Sequence, residues 1–83
     1  MKYLLIIEIS LKPGHSNPEG ETTSKLLKEL GYEIDPIDIS KVYKIPLNAK
    51  NIQEAKLNGI EMCKRLLANP TKDNYSITIE EQE

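Results

Sequence analysis

The residues able to do chemistry are few in this chain. A single histidine, His15, stands in the breaker-rich stretch "LKPGHSNPEG", and a single cysteine, Cys63, stands in "MCKRLLANP". An active site needs a nucleophile or an acid–base pair that can meet, and neither residue brings a partner in sequence. A histidine alone in a Pro/Gly loop reads as a solvated side chain. Cys63 falls on the apolar face of a predicted helix, where a thiol behaves as a small hydrophobe and not as a nucleophile. Glu61 and Lys64 on the other face, like the carboxylates of "EEQE", read as solvated charges. Lys12-Pro13-Gly14 lacks the glycine run and the Lys-Ser/Thr pair with which a P-loop cradles phosphate, so a structural turn is the simpler reading. No spacing of His, Cys and Asp converges as metal ligands do. Residue types and spacing therefore predict no catalytic group and no metal site.

The elements that position these residues follow from periodicity. From Tyr3 to Leu11 the odd positions Tyr3, Leu5, Ile7, Ile9 and Leu11 are all apolar, which predicts a strand with one face fully buried. Leu4 and Ile6 make the second face apolar in part, suiting either a covering subunit or partial exposure. Asn17 can cap a helix that starts with Pro18 at its first position, with Glu19 and Glu21 near the positive end of the dipole. Its stripe Thr23, Leu26, Leu27 and Leu30 is expected to pack on a sheet, and Gly31 supplies the left-handed residue that ends it.

In "IDPIDISKVYKIPLN" the residues Ile37, Ile39, Tyr43, Ile45 and Leu47 keep one phase across Ser40-Lys41, and no Asn-Gly supports a hairpin there. One long strand is preferred to two. Pro36 and Pro46 cannot donate to a ladder, which places that strand at an edge. Asn51 and Glu54 resemble a capping box opening a second helix, whose buried stripe is read as Ile52, Ala55, Gly59, Cys63 and Leu66, widened by Ile60 and Leu67. A mid-helix Gly59 costs about 1 kcal/mol relative to Ala; close approach of the backbone to a sheet or another subunit would explain it, and so would simple tolerance. "NYSITIEE" alternates Tyr75, Ile77 and Ile79 against Ser76, Thr78 and Glu80, an amphipathic strand. The order predicts one α+β domain over residues 1–83, a small two-layer βαβαβ sandwich with its helices on one face of the sheet.

The totals narrow the function. At 83 residues one core supplies only a few kcal/mol of net stability and oligomers become common, so a partner surface is expected. A formal net charge of -2 and a pI of about 5.4, with Lys and Glu interspersed, argue against nucleic-acid and anionic-membrane binding. Tyr3, Tyr43 and Tyr75 all fall on the apolar phase of their strands, which disfavours an RNA-binding sheet. A metal chaperone of this topology would carry Cys-x-x-Cys in its first loop, and none occurs. One cysteine excludes an internal disulfide, no apolar run approaches the ~20 residues that cross a bilayer, and "MKYLLIIEISL" turns polar at Glu8 before a signal-peptide core could form. A cytoplasmic protein is expected.

Taken in order, "LKPG" after the first strand, "NPEG" opening the first helix, "LGYE" after it, and "EMCKRLLANP" followed by "YSITIEE" resemble PurS, the small subunit of phosphoribosylformylglycinamidine (FGAM) synthase. The likeness spans essentially the whole chain. Departures are His15 and Asn17-Pro18, where that family usually has a non-histidine and Asp-Pro, and Lys41-Val42-Tyr43 in place of a Val-Gly-Lys step. The resemblance implies a PurS-like, distantly ferredoxin-like fold that dimerises through its sheet, with exchange of elements that would use the second strand. It further implies partners: another copy of the chain, as a dimer or tetramer, an ATP-using synthetase subunit and a glutaminase subunit. ATP and magnesium would be used by the complex, with no cofactor bound by this chain, and ammonia would pass from glutaminase to synthetase. The competing reading is a stand-alone ferredoxin-like regulatory module, which would bind a small molecule at a dimer interface and shift its melting temperature. Two exposed breaker segments with no evident core role are expected to touch a partner: Lys12, Pro13, Gly14, His15 and Asn17 in the first loop, and Asn69 and Pro70 at the helix end. An ordinary tight connection would account for each equally well.

Overall fold

In the computed structural model, which describes residues 1–82, strand β1 (Lys2–Leu11) is the middle of a three-stranded antiparallel sheet. β2 (Lys41–Asn48) flanks it on one side and β3 (Asp73–Gln82) on the other. A central strand paired on both sides can leave no ladder position to proline, and β1 has none; Pro46 sits in β2, at the sheet edge anticipated for it. The register aligns Leu5 with Ile45 and Ile79, and Ile7 with Tyr43 and Ile77, so the apolar phases of all three strands share one face.

Helix α2 (Ile52–Met62) covers that face. Leu5, Ile7, Ala55 and Cys63 are 0% exposed and form the core with Tyr3, Ile9 and Ala49. Gly59 is buried, and a Cβ built on it would lie 3.3 Å from Ile77 Cδ1 and 3.4 Å from Leu5 Cδ1. The helix backbone thus comes close to the sheet at this glycine, against side-chain atoms and not against backbone. At the start of α2 the Asn51 Oδ1 accepts from the Glu54 N–H at 2.9 Å, while Glu54 Oε2 accepts from the Lys50 N–H at 3.0 Å. The box is thus closed one residue earlier than in the usual reciprocal pattern.

Helix α1 (Pro18–Glu29) is capped as its sequence indicates, with Asn17 Oδ1 accepting from the Gly20 N–H at 3.1 Å. It ends in a Schellman arrangement: the Gly31 N–H donates to Lys28 O and the Tyr32 N–H to Leu27 O, with Gly31 at φ +98°.

Three expectations are corrected. First, α1 has no substantial packing on any strand, and Leu26 and Leu30 of its stripe are 54% and 74% exposed. What α1 packs on is the stretch that follows it: the Ser24 Oγ accepts from the Ile37 N–H at 3.0 Å, and Gly20 lies so close to the Ile37 carbonyl that no side chain would fit. Second, the second strand is shorter than its alternation suggests and begins at Lys41. Ile37 and Ile39 keep the phase of the strand, but Ile37 N–H is taken by Ser24, and Ile39 O accepts from Asn17 Nδ2 at 3.3 Å, so α1 draws them away from β1. Third, the stripe of α2 ends differently. Residues Cys63–Leu67 wind as one π-helical turn closed by the Ala68 N–H donating to Cys63 O at 3.0 Å. In a continuing α-helix both Leu66 and Leu67 would lie on the Cys63 face; the wider turn carries Leu66 out to 84% exposure and leaves Leu67 and Ala68 against the core. Ile52, at the other end of the stripe, is 49% exposed.

Candidate functional site

The two segments expected to face a partner meet at one end of the sheet. The Lys12 N–H donates to Lys72 O at 2.7 Å, and its ammonium Nζ reaches Pro70 O at 2.8 Å, clasping the loop after β1 to the turn before β3. That turn is built by Asn69. Its Oδ1 accepts from the N–H groups of Thr71 and Lys72 at 2.9 and 3.3 Å, its own N–H donates to Asp73 Oδ2, and its carbonyl receives the Asp73 N–H. On the other side of the clasp Pro13 and Gly14 form a tight turn, with Gly14 at φ +90° and the His15 N–H donating to Lys12 O at 3.3 Å. Pro13, Gly14, His15, Asn69 and Pro70 are exposed, while Lys12 and Asn17 are half-buried and spent on backbone contacts.

Beside the clasp lies a groove of about 440 Å³, bordered by His15, Asn17, Ile39, Lys41 and Lys72 over a floor that includes Ile9 and Leu67. Glu19 and Asp73 line it as well, offsetting the two lysines. The helix end that opens onto it has few free donors: Pro18 has no N–H, and those of Gly20 and Glu21 go to Asn17. A phosphate therefore finds little of what usually holds it at a helix start. Burial pushes the Cys63 thiol above its ordinary pKa, which leaves it protonated and unreactive at neutral pH. Among the described residues no three His, Cys, Asp or Glu side chains gather as a metal site would require, and no helix is long and apolar enough to cross a membrane.

The surface also carries apolar area that sequence reasoning assigned to the core or overlooked. Leu26, Leu30 and Tyr32 stand out from the α1 arm, and Leu57 and Leu66 from the outer side of α2 and its π-turn. A shallow groove runs between that turn and β2, lined by Ile45, Met62, Leu66 and Leu67 and edged by the Glu61–Arg65 ion pair at 2.8 Å. On the back of the sheet Leu4 and Ile6 are half-buried beside an exposed Val42. The apolar alternation of β1 gave notice of Leu4 and Ile6; nothing in the sequence announced the π-turn that exposes Leu66.

A small α+β chain, folded around one helix–sheet layer and leaving apolar side chains open on its arm, its outer helix and its sheet back, defines the class of an assembly subunit. The comparisons give the family. The model of the PurS family, phosphoribosylformylglycinamidine (FGAM) synthase, matches residues 4–81. The FGAM synthase subunit PurS of Methanothermobacter thermautotrophicus is 34% identical over 83 residues, covering 100% of this chain and 99% of that protein. The PurS subunit of Archaeoglobus fulgidus is 42% identical over 72 residues, 86% of this chain and 90% of that one. The structure of Thermus thermophilus PurS superposes with a TM-score of 0.90 at 31% identity and full coverage of both chains. The chain belongs to the PurS family of FGAM synthase subunits.

Proposed function

We propose that this chain works as a non-catalytic bridge in FGAM synthase, holding a glutaminase subunit and an ATP-using synthetase subunit in register. In that reaction ATP phosphorylates the amide oxygen of formylglycinamide ribonucleotide, ammonia from glutamine attacks the resulting iminophosphate, and phosphate leaves to give the amidine. Ammonia is small and easily lost to water, so holding source and acceptor in fixed geometry raises the fraction that reacts. On this reading ATP and magnesium belong to the synthetase, this chain binds no cofactor, and the assembly works in the cytoplasm. The observation that carries the proposal is the uncovered apolar surface, present on a chain of this family. A chain of the same fold, TM-score 0.88 at 22% identity, occurs in the structure of PurLQS from Thermotoga maritima.

Two surfaces divide the work. The back of the sheet, with Leu4, Ile6 and Val42, pairs with a second copy of the chain. The clasped end, with Pro13, His15, Asn69 and Pro70 exposed on it, faces a partner subunit. The test is reconstitution with the synthetase and glutaminase, measuring amidine formation from glutamine and from free ammonia with and without this chain. Omission is expected to abolish the glutamine-dependent reaction and spare the ammonia-dependent one; if both rates are unchanged by omission, the bridge reading is wrong.

A further inference from the structure

We draw no further inference here: the strongest candidate, the groove beside the clasp of Lys12 and Pro70, has two lysines offset by Glu19 and Asp73 and no buried polar side chain left without a partner among the described residues, so nothing in the structure shows what would occupy it.

Discussion

Gly59 of α2 and Cys63, which opens the π-turn after it, lie about one turn apart and both face the core. The nearest atoms to a Cβ at residue 59 are the chain ends Ile77 Cδ1 and Leu5 Cδ1, at 3.3 and 3.4 Å, with Ile77 Cγ2 at 3.6 Å; the two ends can yield by a few tenths of an ångström, and Ala gains about 1 kcal/mol of helix propensity over Gly. Gly59→Ala is therefore expected to leave stability within about 1 kcal/mol of the parent. Gly59→Val adds two further methyls to a Cβ that already meets Ile77 and Leu5, and is expected to cost about 1–3 kcal/mol; urea unfolding of the two variants side by side decides, and equal midpoints would contradict the packing described. Cys63 gives a pH signature. Its folded-state pKa is raised by burial above the ordinary value of 9.0, so the native state holds the thiol proton longer than the unfolded chain does. Stability is then lost as pH climbs from the ordinary thiol value toward the folded one. The unfolding free energy should fall more steeply above pH 9.0 in the parent than in Cys63→Ala, the comparison being of slopes and not of levels.

At the scale of elements, the two helices are capped by the same residue type with unequal consequences. Asn51 caps the helix that covers the core, so Asn51→Ala is expected to lower global stability by about 0.5–2 kcal/mol. Asn17 caps a helix outside the core and also holds Ile39 O. Asn17→Ala should loosen the arm from Pro18 to Ser40 while sparing the sheet, seen as faster amide exchange in α1 with unchanged protection in β1; a uniform rise in exchange would show the arm to be part of the main cooperative unit. These caps, the three strands and the edge position of Pro46 were legible because each depends on contacts within a few residues or on a period of two. The start of β2 was not, since Ile37 and Ile39 alternate as a strand does and only the hydrogen bonds from Ser24 and Asn17 take them elsewhere. An amphipathic stripe tells which face of α1 seeks burial, not whether its own sheet or another chain supplies it. The clasp was half-legible: both segments read as exposed connections, but their meeting depends on Lys12 reaching across 58 positions of sequence to Pro70.

For the whole molecule, the radius of gyration of 16.4 Å exceeds the roughly 12 Å of a compact domain of this length, and the extents of 51 × 29 × 14 Å describe a flat, drawn-out body. Such a shape buries little apolar area per residue, and a second chain laid on the sheet back is the direct remedy. The parent is expected to sediment as more than one 9.4 kDa chain, and Leu4→Glu combined with Ile6→Glu to sediment as one, with its far-UV circular dichroism retained; an unchanged sedimentation coefficient would move the interface off the sheet back. The clasped end makes the opposite prediction. Pro13 and His15 are exposed and lie away from Leu4 and Ile6 along β1, at the end where the chain leaves the sheet. Neither side chain takes part in the Lys12–Pro70 contact or in the core, so replacing both with alanine is expected to leave these in place. The double variant should therefore keep its self-association, bind the synthetase–glutaminase pair at least tenfold more weakly, and lose glutamine-dependent amidine formation in proportion at limiting concentration. Partner binding equal to that of the parent, measured by sedimentation of the mixed subunits, would reduce the first loop to a connection and leave the exposed leucines of α1 and α2 as the surface to test next.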